Sequence, residues 1–168
     1  IHSKFLQTQA RTGRLSSANP NMQNIPIRTE LGGELRKFFI PKEGYVFVDA
    51  DYSQIELRIL AHMADDDAMR QAFLDGVDIH FKTASEIFHM PPQMVTPLMR
   101  SRAKAVNFGI VYGMGAFSLS KDTGVSMKEA SGYIADYFAT YKGVQHFLET
   151  TVENAKKNGY VTTMFGRI

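Results

Sequence analysis

Arg100, Lys104, Phe108 and Tyr112 stand four residues apart along one stretch of the sequence. At about 100° per residue the four drift by about 40° per step, so on a helix they share one face about 120° wide. Met99, Ala103, Val106 and Ile110 fall on the other side, which is therefore the side expected to be buried. Two cations one helical turn apart repel each other, so an anionic ligand suits them. The two aromatic rings that follow offer what a base needs for stacking. Spacing alone equally allows a solvated basic face whose rings pack on a neighbour. Gly109 and Gly113, beside the rings, lower helix propensity and suggest a close approach to the backbone.

A second group is acidic. Asp51 ends the run Tyr45-Val46-Phe47-Val48-Asp49-Ala50 and Glu56 follows it closely, with no basic residue between them. A carboxylate where a strand runs out is a natural oxygen ligand for a divalent cation. It is also a common turn former or helix cap. Asp49 would share a strand face with Asp51 and either join a metal site or stay solvated. Arg14, Asn21 and Gln23 lie in a polar stretch, and Arg and amide side chains read phosphates and base edges. Ordinary surface loops look similar. His80, after Asp78, could donate to an anion at a helix start, whereas His62, His89 and His146 have no metal-ligand spacing.

Certain elements must position these residues. The pattern predicts strands over 35–40, 45–51 and 159–165, and a mostly looped segment over 1–29. Ser53, with Glu56 three residues on, predicts a capped helix. Further helices are expected from 65–67 to about 74, over 80–88, over 98–112, from the Ser126 cap to 141, and from about 143 to 158. The class is α/β in the α+β sense: mostly helical, with a little sheet at both ends.

Composition narrows the function. The 168 residues are 44% hydrophobic and 21% charged, as in an ordinary globular chain, and no apolar run approaches bilayer length. Cysteine is absent, so disulfides, thiol catalysis and Cys-based zinc sites are excluded. The net charge of +2 hides a segregation. Residues 1–29 carry Lys4, Arg11, Arg14 and Arg28 without an acid; residues 87–121 are acid-free too; residues 43–78 hold nine acids against Arg58 and Arg70. Basic surface around an acidic centre suits a polyanionic partner, although solvated faces can cluster in this way.

Asp51-Tyr52-Ser53-Gln54-Ile55-Glu56-Leu57-Arg58 resembles the first catalytic motif of the family A DNA polymerases, the bacterial DNA polymerase I group. Arg100, Lys104, Phe108-Gly109 and Tyr112-Gly113 resemble that family's fingers helix. Thr12-Gly13-Arg14-Leu15-Ser16-Ser17 and Pro20-Asn21-Met22-Gln23-Asn24-Ile25-Pro26 resemble its primer–template loop, and Asp78-Ile79-His80 another of its signatures. The resemblance implies a partial right-hand polymerase fold: palm over 1–62, helical fingers over 63–158, and a returning palm strand over 159–168. It implies template-directed addition of deoxynucleotides to a primer 3′-hydroxyl in a bacterial cytoplasm, with primer–template DNA and deoxynucleoside triphosphates as partners.

The resemblance also implies residue roles. Asp51 and the Tyr52 carbonyl would bind two Mg²⁺ ions. Arg100, Lys104 and His80 would hold the triphosphate, with Lys104 also donating a proton to the leaving group. Phe108 would pack against the nucleotide and Tyr112 would abut the templating position. Gln54 would lie near the incoming sugar, Glu56 would crowd its 2′ position, and Arg14, Asn21 and Gln23 would touch the minor groove. The family's second metal carboxylate, in a His-Asp-Glu motif, does not occur here, and Ser101 replaces an Arg common in bacterial members. The chain is therefore expected to be a piece that needs the thumb and the rest of the palm, and to be inactive alone. A non-catalytic nucleic-acid-binding module of the same fold is the alternative.

Overall fold

The computed structural model describes residues 1–26 and 29–168, so Arg28 lies outside the described residues. It divides into two compact units, residues 1–51 and 52–168.

In the first unit, β1 (Lys4–Leu6) and β2 (Ser16–Ala18) form an antiparallel pair with Phe5 opposite Ser17. A stretch read as loop thus holds a hairpin. Its strands are three residues each, too short for periodicity to reveal. Thr29 accepts a hydrogen bond from the Gly32 amide and caps the five-residue α1 (Glu30–Glu34). The strand expected over 35–40 is instead a 3₁₀ turn, Leu35–Phe38, which continues directly from α1. The apolar run 45–51 forms no ladder with any described residue, and Val46 and Val48 are 80% and 86% exposed. β-branched composition marks a chain suited to a sheet, but only a partner strand makes one.

The second unit is helical: α2 (Ile55–Met63), α3 (Asp67–Leu74), α4 (Ile79–Ile87), α5 (Pro97–Val111), α6 (Ala116–Thr123), α7 (Met127–Thr140) and α8 (Lys142–Asn158). Ser53 does not cap α2. That place is taken by Gln54, in the left-handed conformation at φ 54°, while the Ser53 carbonyl accepts from Arg58 Nε at 2.9 Å. Ser126 and Glu129 form the reciprocal capping box that starts α7. α6, unforeseen from sequence, is short and lacks a side-chain cap at its start, and it ends on Gly124 at φ 67°. Residues 159–165 form no strand; the Thr163 amide donates to the Arg167 carbonyl and closes a turn.

α4 is the central element, packed chiefly on α5 and also on α7 and α3. Leu57, Met69, Ile79, Val106, Leu119 and Val144 are buried at 1% exposure or less, one from each of six helices. Each contributes about 1.5–3 kcal/mol by leaving water. Asp66, also buried, joins two helices. Its Oδ1 accepts from the Met69 amide and caps α3, and its Oδ2 accepts from the Gly143 and Val144 amides at the start of α8. A Cβ on Gly143 would lie 2.9 Å from the Ala64 carbonyl oxygen, so glycine is required for this close approach. Among the described residues no helix is long and apolar enough to cross a membrane.

Candidate functional site

α5 begins where Thr96 Oγ1 accepts from the Met99 amide, with Pro97 in the first helical position. The helix then turns Ala103, Val106 and Ile110 inward, as the spacing required. Arg100, Lys104, Phe108 and Tyr112 line the opposite side, with Lys104 and Tyr112 exposed and Arg100 and Phe108 partly covered. The Phe108 and Tyr112 rings are nearly parallel, 6.4 Å apart between centroids. The face is therefore a graded strip from two cations to two stacked rings.

Residues from other helices complete it. His80, in the first turn of α4, places its ring 5.6 Å from that of Phe108, so the histidine joins the strip. Glu56 in α2 accepts a hydrogen bond from the Tyr112 hydroxyl at 2.5 Å, tying α2 to the end of α5. Asp78 has two tasks. Its Oδ1 accepts from the His80 and Phe81 amides and caps α4, while its Oδ2 accepts from Arg100 Nε and Nη2 at 2.9 and 2.6 Å. Burial alone would raise the Asp78 carboxyl, but the Arg100 hydrogen bond, the Phe81 amide, the Arg100 charge and the His80 amide together hold it below the usual carboxylate range. Burial pushes His80 down to about 4, with the charges of Arg100 and Lys104 acting in the same sense and Asp78 opposing. At neutral pH the strip thus presents the Arg100–Asp78 pair and the Lys104 side chain beside an uncharged imidazole.

The glycines have a local explanation. A Cβ on Gly109 would meet the Met114 sulfur at 3.2 Å, so the close neighbour is a side chain of this protein. Gly113, at φ 71°, makes the turn beyond α5 that brings Met114 back.

Sequence reasoning missed Asn107. It is wholly buried and its amide nitrogen lies 3.1 Å from His80 Nδ1. The available signal was an amide residue between Val106 and Ile110 on a face that should be apolar. It also missed Asp78 as the residue that orients Arg100.

Asp51 and Tyr52 are exposed and Gln54 is half-buried. Among the described residues no three His, Asp or Glu side chains gather where a metal ion would fit. Hard oxygen donors suit Mg²⁺, but Asp51 here is a single carboxylate and not a complete metal site. In the first unit, Asn21 Oδ1 accepts from the Gln23 amide and Gln23 Nε2 donates to the Leu15 carbonyl at 3.1 Å. Both amides therefore shape the loop whose surface they share with exposed Arg14.

The chain is 51% identical to DNA polymerase I of Deinococcus radiodurans over 167 residues, which is 99% of this chain and 18% of that protein. It is 50% identical to DNA polymerase I of Geobacillus stearothermophilus and 48% identical to the thermostable DNA polymerase I of Thermus aquaticus, covering 99% of this chain and 19% and 20% of theirs. The chain thus spans about a fifth of the length of these relatives. Its structure resembles the POL domain of Pol1 from M. smegmatis, solved in complex with DNA primer-template and dNTP. The TM-score is 0.89 at 45% identity, over 99% of this chain and 30% of that one. The model of DNA polymerase family A matches residues 1–168, and the chain belongs to that family.

Proposed function

We propose that this chain is the nucleotide-selecting part of a bacterial, cytoplasmic DNA-directed DNA polymerase, with residues 1–62 and 159–168 in its palm and 63–158 in its fingers. The observation that carries the reading is the strip on α5, where Arg100, Lys104, Phe108 and Tyr112 run in line beside His80. Two cations and an imidazole N–H suit a triphosphate, Phe108 suits the nucleoside, and Tyr112 suits the templating position. Lys104, exposed at the centre of the strip, would pass a proton to a leaving pyrophosphate. Gln54 and Glu56 flank the sugar, and Glu56 excludes a 2′-hydroxyl by bulk. Arg14, Asn21 and Gln23 contact primer–template DNA.

Asp51 and the Tyr52 carbonyl would supply ligands to the two Mg²⁺ ions, and the rest of the polymerase domain would supply the other carboxylate. Bound there, the ions would lower the pKa of the primer hydroxyl and neutralise the departing phosphates. The test is Asp51→Asn in the full-length protein that carries this chain. Single-turnover incorporation should fall by more than about 1,000-fold, roughly 4 kcal/mol, with primer–template affinity nearly unchanged because phosphate contacts elsewhere supply most of it. Chemistry surviving within about tenfold would show that Asp51 is not a metal ligand.

A further inference from the structure

Behind the strip lies a buried polar chain that the roles above do not use. The Asn107 amide nitrogen is 3.1 Å from His80 Nδ1 and 3.1 Å from Thr83 Oγ1. Thr83 Oγ1 is in turn 3.2 Å from Asn107 Oδ1 and 3.2 Å from the Tyr141 hydroxyl. Thr83, Asn107 and Tyr141 are fully buried and His80 is 3% exposed. The chain thus runs from the site through α4 and α5 to the start of α8, out of water throughout.

An amide nitrogen has only hydrogens to offer. The His80 nitrogen that meets it must therefore present a lone pair, and the single proton of the neutral ring is left on Nε2. The tautomer matters to an anion. An Nε2–H donates a hydrogen bond to a phosphate oxygen, whereas a bare Nε2 turns a lone pair towards it. We propose that Asn107 is a positioning residue of the triphosphate site, holding His80 as the Nε2–H tautomer so that the imidazole acts there as a hydrogen-bond donor. This rests on the reading of His80 as a triphosphate contact. Thr83 and Tyr141 hold the Asn107 amide in register, so they act one step further from the ligand. Burial and the nearby Arg100 and Lys104 keep the ring uncharged, which is the condition under which a tautomer has to be chosen.

The experiment uses the full-length protein labelled with ¹⁵N-histidine, with the His80 signals assigned by their loss in His80→Gln. Without nucleotide at neutral pH, long-range ¹H–¹⁵N correlations should show Nδ1 as the unprotonated, pyridine-type nitrogen and Nε2 as the protonated one. Asn107→Asp places a carboxylate oxygen against the ring and should bring a proton onto Nδ1. Asn107→Leu, which offers Nδ1 no donor and so frees the tautomer, should raise the KM for deoxynucleoside triphosphate about tenfold, equivalent to 1.4 kcal/mol, with kcat and primer–template affinity little changed. A wild-type protein with the proton on Nδ1 would overturn the proposal without any variant having to fold, because the Asn107 amide would then present its oxygen. An unmoved His80 spectrum in Asn107→Asp would overturn it as well. If the tautomer is as stated but His80→Gln leaves the nucleotide KM unchanged, the triphosphate reading of His80 fails, and the functional half of the proposal fails with it.

Discussion

On the proposed function, removing the Glu56 side chain should make the full-length protein accept ribonucleotides, and the structure gives the size of one part of the effect, the contact with Tyr112. Glu56→Ala removes two things: the bulk that the proposed function sets beside the sugar, and the acceptor of the 2.5 Å hydrogen bond from Tyr112. A hydrogen bond to a charged group contributes about 1.5–3 kcal/mol when shielded. Tyr112 is 62% exposed, and solvent brings that down to about 1 kcal/mol. Tyr112→Phe isolates this second part, since it leaves the Glu56 carboxylate in place. A double-mutant cycle on the full-length protein should therefore return a coupling of about 1 kcal/mol in stability. The functional readout is the ratio of kcat/KM for a deoxynucleotide over the matching ribonucleotide. Glu56→Ala should lower that ratio by about tenfold or more, because the repulsive contact with the 2′-hydroxyl is gone. Tyr112→Phe should lower it several-fold less. If Glu56→Ala slows both substrates equally and leaves the ratio unmoved, Glu56 serves only to brace Tyr112 and the steric argument is wrong.

Two further expectations concern the scaffold of the site. Asp66→Ala removes the acceptor of three amide hydrogen bonds at two helix starts. Each cap contributes about 1 kcal/mol, so the loss in denaturant unfolding should be about 2–3 kcal/mol, and a loss below about 0.5 kcal/mol would contradict the shared cap. His80 gives a pH dependence. Its folded pKa of about 4 lies below the unfolded 6.5, so between these values the unfolded chain binds a proton that the folded one refuses. Stability should thus fall as pH drops from about 6.5 towards 4, by at most about 1.4 kcal/mol per unit, and stay flat above. His80→Gln should lose that slope; a wild type and variant with the same profile would show that the imidazole is not held neutral.

What the sequence made legible follows from which forces are local. α3, α4, α5, α7 and α8 were readable because apolar spacing and local start signals, the acidic run 65–67 and the Ser126 cap among them, write a helix into a short stretch. The orientation of α5 was readable for the same reason, and with it the whole cation-to-aromatic strip. The runs 35–40, 45–51 and 159–165 misled because a sheet is a property of pairs. Their β-branched and aromatic residues state a preference that no described strand satisfies. Ser53 misled because a capping box and a left-handed Gln54 compete for the same helix start, and the Arg58 side chain takes the Ser53 carbonyl. The partnerships across the site — Asp78 with Arg100, Asn107 with His80, Glu56 with Tyr112 — join residues 22 to 56 positions apart. Nothing local to Asp78 or Asn107 names its partner, so these contacts needed coordinates.

The central claim is that the outward face of α5 holds the incoming nucleotide, and Lys104 tests it most directly, being exposed at the middle of the strip. The measurement is pre-steady-state incorporation of one deoxynucleotide by the full-length protein, with nucleotide and primer–template affinities read separately. Lys121→Ala is the control, a cation engaged instead with the Phe117 ring on α6 at 4.4 Å. Lys104→Ala should weaken the nucleotide by at least about tenfold, 1.4 kcal/mol, and slow the chemical step. Primer–template affinity should stay within about twofold, and Lys121→Ala should match the wild type in both respects. Equal nucleotide affinity in Lys104→Ala and wild type, or a loss confined to DNA binding, would contradict the assignment of this face to the nucleotide.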